Sequence, residues 1–82
     1  MLRIYGTSLC KDCTSCIYDL SCAGIEFKFM DFSDDISNLK EFLKIRDSSP
    51  LFENIRNSGR IGIPCLVKDD GTIFLEWESF LM

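Results

Sequence analysis

The feature that most constrains the fold is a change of hydrophobic periodicity that occurs twice in the N-terminal third of the chain. Residues 2–5 form a short β-branched and aromatic run that ends at a Gly-Thr-Ser loop, as a strand does. From Lys11 onward, apolar residues recur at three- and four-residue steps, which predicts an amphipathic helix. Residues 25–29 then alternate between apolar and charged, which predicts a second strand. A strand–helix–strand unit requires parallel strands joined by a right-handed crossover.

The second half of the chain predicts a helix followed by a hairpin. Residues 33–35 are N-cap candidates, and the apolar stripe that follows is interrupted at Pro50, which lacks a backbone N–H. Gly59 is the expected C-cap. An apolar run over residues 63–67, the turn signal Asp70-Gly71 and residues 73–75 predict two antiparallel strands, with a helical stub over residues 76–82. We therefore expect an α/β fold of order β-α-β-α-β-β, a four-stranded mixed sheet flanked by helices in a single domain over residues 1–82.

Charge and composition narrow the function classes. Nine Lys and Arg against thirteen Asp and Glu give a net charge of −4, which is the wrong sign for nucleic-acid or membrane-surface binding. No apolar run approaches the ~18 residues of a membrane span, and the N-terminus has no signal-peptide pattern. The absence of histidine excludes Cys-His catalysis and histidine-ligated metals. We expect a cytoplasmic monomer with neither nucleic-acid nor membrane partners.

The residues that carry chemistry are Cys10-Lys11-Asp12-Cys13, where the first strand gives way to the first helix. A Cys-x-x-Cys motif beside a strand–helix–strand unit in a cytosolic protein is a redox signature. The unpaired amides at a helix N-terminus favour the thiolate, so Cys10 is the expected nucleophile. Lys11 adds positive charge, and Asp12 opposes it. Cys13 lies one turn further in, and we expect it to be the buried resolving thiol.

The three other cysteines leave alternatives open. Cys16 extends the motif to a run of three cysteines with two-residue spacers, which also occurs in iron–sulfur proteins, with Cys22 or Cys65 as further ligands. A continuous helix, however, places Cys13 and Cys16 along one face, where a free cysteine packs as a small apolar residue. We therefore expect core packing of Cys16 and no metal site.

Taken together, the strand into the Gly-Thr-Ser-Leu loop, the Cys-x-x-Cys motif and an Ile-Pro pair about fifty residues later resemble a glutaredoxin over nearly the whole chain. The resemblance implies the thioredoxin-like fold of the glutaredoxin type. It also implies that Pro64 follows a cis peptide bond, that Ile63 docks the substrate backbone, and that Cys65 lies near Cys10. The substrate-contacting residues expected on these grounds are Lys11, Ile63, Pro64, Cys65, Glu78 and Ser79.

The resemblance implies a disulfide oxidoreductase that acts on a disulfide-containing protein or a glutathione mixed disulfide and has no tightly bound cofactor. Glutathione and a thioredoxin reductase are both candidates for its reductant. Two family features are missing. The loop over residues 6–9 has no lysine, and residues 75–79 have no Gly-Gly pair, so dithiol chemistry is implied more strongly than glutathione specificity. Two alternatives stand beside it: a metal or iron–sulfur module on Cys10, Cys13 and Cys16, and a non-catalytic interaction domain.

Overall fold

The computed structural model describes residues 1–81; the last residue of the predicted terminal stub, Met82, lies outside this range. Within residues 1–81, four strands, three α-helices and two short 3-10 helices follow one another. The elements are β1 (Leu2–Gly6), α1 (Lys11–Cys22), β2 (Phe27–Asp31), α2 (Ile36–Ser48), a 3-10 helix (Pro50–Phe52), α3 (Glu53–Ser58), β3 (Cys65–Val67), β4 (Ile73–Phe74) and a second 3-10 helix (Glu78–Leu81).

The strands form one mixed sheet in the order β2-β1-β3-β4. β1 pairs in parallel with β2, so that Gly6 lies opposite Asp31. On its other side β1 pairs antiparallel with β3, with Tyr5 opposite Cys65, and β3 pairs antiparallel with β4. The predicted α/β architecture with a four-stranded mixed sheet is confirmed, and β1 lies at its centre.

Each face of the sheet carries its own hydrophobic cluster, because successive side chains of a strand point to opposite faces. The face under α1 buries Leu2, Ile4, Cys16, Leu20 and Leu66, which we call the first cluster. The face under α2 and α3 buries Tyr5, Phe42, Phe52, Cys65 and Val67, which we call the second cluster. The β1 side chains thus alternate between the two clusters.

The helix caps predicted from the sequence are confirmed for the start of α2 and the end of α3. The Asp35 carboxylate accepts from the Ser37 amide and caps α2, and Gly59 ends α3 in the left-handed conformation at φ 79°. Three boundaries differ from the sequence prediction. β2 begins at Phe27 rather than at residue 25, β3 begins only at Cys65, and β4 ends at Phe74. The delay in β3 follows from Pro64, which has no N–H to donate to a strand ladder.

Candidate dithiol site

Cys10 occupies the N-cap of α1, at the point where the loop after β1 ends. Its backbone is extended, and its carbonyl accepts the first helical bond from Thr14 N at 3.1 Å. Its thiol makes no capping hydrogen bond, and the residue is half-exposed. The sulfur at the N-cap can therefore be reached by solvent and by a partner molecule.

Cys13 lies one turn into α1 and is fully buried. Burial raises the pKa of its thiol from the ordinary value of 9.0 to about 12, with smaller upward contributions from a hydrogen bond to the Cys10 sulfur and from Cys16, while an opposing backbone hydrogen bond from Thr7 lowers it. The Cys13 thiol therefore holds its proton near neutral pH. The pair combines one accessible sulfur with one shielded, protonated sulfur within hydrogen-bonding reach.

The close approach of α1 to the sheet depends on the lack of a side chain at Gly6. A Cβ added at Gly6 would lie 2.5 Å from the Cys13 sulfur, which is shorter than real Cβ contacts. The last residue of β1 must be glycine if the Cys13 thiol is to sit between α1 and the strand. This packing keeps Cys13 out of solvent while Cys10 faces outward.

Cys10 opens onto a groove of about 860 Å³. Its walls come from three segments that are distant in sequence, namely the loop and helix start at residues 7–12, the loop at residues 59–64, and residues 75–77, together with Ile55 of α3. Two large apolar side chains on its rim are strongly exposed, Leu9 at 88% and Ile61 at 55%. Exposed apolar side chains beside an accessible thiol form a surface suited to contact with another molecule.

The loop at residues 59–64 is held in place by a second close glycine contact. Gly62 has φ 96°, and a Cβ there would lie 2.9 Å from a ring carbon of Phe52. Phe52 belongs to the second cluster, where its ring meets that of Phe42 edge-on at 6.0 Å. The loop therefore lies directly on the aromatic core, which fixes this wall of the groove.

Two predicted substrate-contacting residues lie at the groove. Ile63 and Pro64 both line it, and the peptide bond between them is cis, as the resemblance implies. Pro64 is buried and Ile63 is half-buried. The structure thus brings the Ile-Pro pair and Cys10 to the same groove, although about fifty residues separate them in sequence.

The other four predicted contact residues are not brought there. Cys65 belongs to the second cluster, on the face of the sheet opposite α1, because it lies opposite Tyr5 in the strand ladder, and it does not line the groove. Lys11 is exposed and does not line the groove. Glu78 and Ser79 belong to the second 3-10 helix, beyond the groove wall.

The groove also contains residues that sequence reasoning missed. Thr7, Leu9, Arg60, Ile61 and Glu76 line it and were not predicted as site residues. Trp77, expected mainly to cover the core, does so and also lines the groove. The spacing of Gly59 and Gly62 is the one sequence signal that could have indicated an ordered loop here.

The remaining thiols are spread over different environments. Cys16 is buried in the first cluster, as expected, and Cys22 is exposed at the end of α1. Burial raises the pKa of Cys16 to about 12, with Asp19 and Glu78 adding to the shift. Within residues 1–81, no group of three His, Cys, Asp or Glu side chains is placed to hold a metal ion.

Comparison with known proteins gives one relative. An uncharacterized protein of Haemophilus influenzae is 29% identical to this chain over 73 residues, which cover 89% of this chain and 85% of that one. No protein-family model matches the chain, and no solved structure matches it. None of the helices between residues 1 and 81 is long and apolar enough to cross a membrane.

Proposed function

We propose that this protein is a thiol–disulfide oxidoreductase with a thioredoxin-like fold of the glutaredoxin type, with Cys10 as nucleophile and Cys13 as resolving thiol. One observation carries the proposal. A half-exposed thiol at a helix N-cap lies within hydrogen-bonding reach of a fully buried, protonated thiol, and the first of the two opens onto a groove. Disulfide exchange requires this division between an attacking and a resolving sulfur.

In the first step the Cys10 thiolate attacks one sulfur of a substrate disulfide. A bond forms between Cys10 and that sulfur, the substrate S–S bond breaks, and the second substrate sulfur leaves as a thiolate. The groove holds the segment of the substrate that flanks its disulfide.

In the second step Cys13 attacks the Cys10 sulfur of this mixed disulfide. Cys13 gives its proton to the departing thiolate or to solvent, a Cys10–Cys13 bond forms, and the substrate leaves with both sulfurs reduced. The substrate gains two electrons and two protons, and the protein loses the same number. The raised pKa of Cys13 keeps this sulfur protonated until the mixed disulfide has formed.

A reductant must then return the protein to the dithiol form. Two thiols, from two molecules of glutathione or from one dithiol protein, supply the two electrons and two protons. The substrates that we propose are protein disulfides and glutathione mixed disulfides. In the cell this activity would serve electron transfer between thiols and the maintenance of redox balance in the cytoplasm.

Serine variants test the proposal directly. Cys10→Ser is expected to lower the rate of insulin disulfide reduction by at least a hundredfold, because no thiolate is left at the groove. Cys13→Ser is expected to accumulate a mixed disulfide on Cys10 that mass spectrometry detects. Cys22→Ser is the matched control, since this exposed thiol is remote from the groove, and it should keep full activity. Activity retained in Cys10→Ser would refute the proposal.

The same preparations separate the two alternative functions. A metal or iron–sulfur module on Cys10, Cys13 and Cys16 predicts colour or stoichiometric metal after anaerobic purification. A non-catalytic interaction domain predicts that Cys10 reacts with iodoacetamide near neutral pH no faster than an ordinary exposed thiol such as Cys22. The oxidoreductase predicts colourless protein and faster alkylation of Cys10 than of Cys22.

A further inference from the structure

Trp77 forms one wall of the groove, and its indole is tied to α1. The indole N–H, the only polar group of this side chain, donates to Asp19 Oδ2 at 2.9 Å. Asp19 lies on the same helix as Cys10 and does not line the groove. We propose that Asp19 is a positioning residue that fixes Trp77 as a wall for the bound substrate. The proposal rests on the proposed function, since it concerns how the groove holds a disulfide substrate.

The backbone around Trp77 gives the side chain little support of its own. Strand pairing ends with Phe74, and the second 3-10 helix begins at Glu78, so residues 75–77 lie between two elements. After this segment, the ring of Phe80 packs edge-on against Phe74 at 4.8 Å. The chain is therefore anchored on both sides of Trp77, and loss of the Asp19 contact would release the indole rather than the whole segment.

The indole has one side in the core and another at the groove. Trp77 packs against the first cluster, which contains Cys16 and Leu20 of α1, and it also lines the groove together with Cys10. A half-buried tryptophan usually satisfies its N–H with a fixed partner, and here that partner is a carboxylate. A hydrogen bond to a charged group is stronger than one between neutral groups. Asp19 therefore fixes the orientation of the ring as well as its depth.

The consequence is a difference between substrates. A polypeptide disulfide fills the groove and contacts the indole, whereas a small disulfide needs only the Cys10 sulfur. Release of Trp77 should therefore raise KM for a protein disulfide and leave kcat close to its original value, because no reacting atom touches Asp19. The alkylation rate of Cys10 by a small reagent should stay unchanged for the same reason.

The experiment uses the full chain with insulin as the protein disulfide and hydroxyethyl disulfide as the small one. Asp19→Leu removes the acceptor, Asp19→Asn keeps an oxygen that can accept, and Trp77→Phe removes the donor but keeps an apolar ring. Asp47→Leu makes the same change at an exposed position on α2 and serves as the control. Because Trp77 is the only tryptophan, its fluorescence reports the position of the ring in each variant except Trp77→Phe.

We expect Asp19→Leu and Trp77→Phe each to raise KM for insulin by about tenfold, the size of one lost hydrogen bond to a charged group. Asp19→Leu should also shift the fluorescence emission of Trp77 to the red. In Asp19→Asn and Asp47→Leu, both the emission maximum and KM for insulin should stay close to those of the original protein. Adding Asp19→Leu to Trp77→Phe should cause no further rise in KM for insulin, since Trp77→Phe already lacks the hydrogen bond to Asp19. Kinetics with hydroxyethyl disulfide should be the same in Asp19→Leu, Asp19→Asn, Asp47→Leu and the original protein.

Two results would overturn the inference while leaving the proposed function intact. One is an unchanged KM for insulin in Asp19→Leu, with or without a change in emission. The other is an equal loss of activity toward insulin and hydroxyethyl disulfide, which indicates damage to the dithiol rather than to the wall. An original protein that reduces neither disulfide would instead overturn the proposed function, and the inference with it.

Discussion

On one side of the groove stands the start of a helix, and on the other side an irregular loop. The helix side carries Cys10, and the helix packs closely against β1 where Cys13 meets Gly6. The loop side spans residues 59–64, and it packs closely against the core where Gly62 meets Phe52. Both walls thus depend on a glycine at a close contact, but only the helix wall contains a thiol.

The two walls divide the tasks of the site between them. The helix wall supplies the two sulfurs, one at the N-cap and one a turn inside, and it packs on the sheet through the close contact between Cys13 and Gly6. The loop wall supplies shape, and it is supported by the aromatic second cluster. Damage to either wall should lower stability, but only damage to the helix wall should also change the reactivity of the thiols.

The largest expected effect is on the loop wall, in Gly62→Ala. The backbone there has φ 96°, which alanine rarely adopts, and the new Cβ would lie 2.9 Å from Phe52. Backbone strain and overpacking together should lower the free energy of unfolding by about 3 kcal/mol. Urea denaturation measures this change.

Gly59→Ala is the matched control for that variant. Its φ of 79° is similarly strained, but no atom lies within 4 Å of the added Cβ. The free energy of unfolding should fall by only about 1 kcal/mol, from backbone strain alone. Equal losses in the two variants would contradict the account of the Phe52 contact.

The next effect is on the helix wall, in Gly6→Ala. The new Cβ would overlap the Cys13 sulfur, so the thiol must move, and we expect a loss of about 2 kcal/mol in the free energy of unfolding together with slower formation of the Cys10–Cys13 bond. Stability in urea and the rate of oxidation measure the two effects.

Removing the Cys13 sulfur tests whether its overlap with the new Cβ is what destabilises Gly6→Ala. In the double variant Gly6→Ala with Cys13→Ala, the free energy of unfolding should exceed the value expected from adding the two single losses. Simple additivity would show that the overlap with Cys13 is not what destabilises Gly6→Ala.

High pH should destabilise the fold through three buried thiols, which lie on both faces of the sheet. Burial raises the pKa of Cys13, Cys16 and Cys65 from 9.0 to about 12. Unfolded thiols lose their protons near pH 9 while folded thiols keep them, so unfolding releases protons and the folded state loses stability between about pH 9 and about pH 12. Each of these thiols lowers the free energy of unfolding by up to about 1.4 kcal/mol per pH unit in this range.

The contribution of the loop side can be separated with Cys65→Val. Between about pH 9 and about pH 10, the urea denaturation midpoint should fall less steeply with pH in this variant than in the original protein. The difference in slope corresponds to the contribution of one buried thiol. An unchanged slope would mean that Cys65, behind the loop wall, does not contribute.

The smallest effect concerns the strand that supports both walls. The Tyr5 hydroxyl donates to Glu41 and accepts from Arg3 Nη1 at 2.9 Å. Tyr5→Phe should lower the free energy of unfolding by about 1 kcal/mol, since the Arg3–Glu41 contact persists at 3.2 Å. Disulfide reduction should be unchanged, because the hydroxyl lies on the face opposite α1; a loss of activity would contradict this separation.

Much of the helix wall was predictable because its signals are local. The change of periodicity at Lys11 marks the start of α1, and the Cys-x-x-Cys spacing places one sulfur at the N-cap and the other a turn inside. The Asp35 cap, the interruption at Pro50 and the end of α3 at Gly59 are equally local. Such features depend on a few neighbouring residues, and tertiary packing did not override them.

The loop wall and Trp77 could not be predicted in the same way. Whether Ile61 lines a groove depends on where Gly62 meets Phe52, which is a tertiary contact. The side of the sheet that Cys65 faces depends on its pairing with Tyr5, and a shift of one residue in register would have turned its side chain toward α1. Glu78 and Ser79, predicted as substrate contacts, do not line the groove, because the chain enters a 3-10 helix just beyond Trp77.

The most direct test of the central claim is to equilibrate the protein with a series of glutathione redox buffers and map its disulfides by mass spectrometry. The account predicts one intramolecular bond, between Cys10 and Cys13, that forms in a single two-electron transition, while Cys16 and Cys65 stay reduced. The absence of a Cys10–Cys13 bond under every buffer would contradict the account.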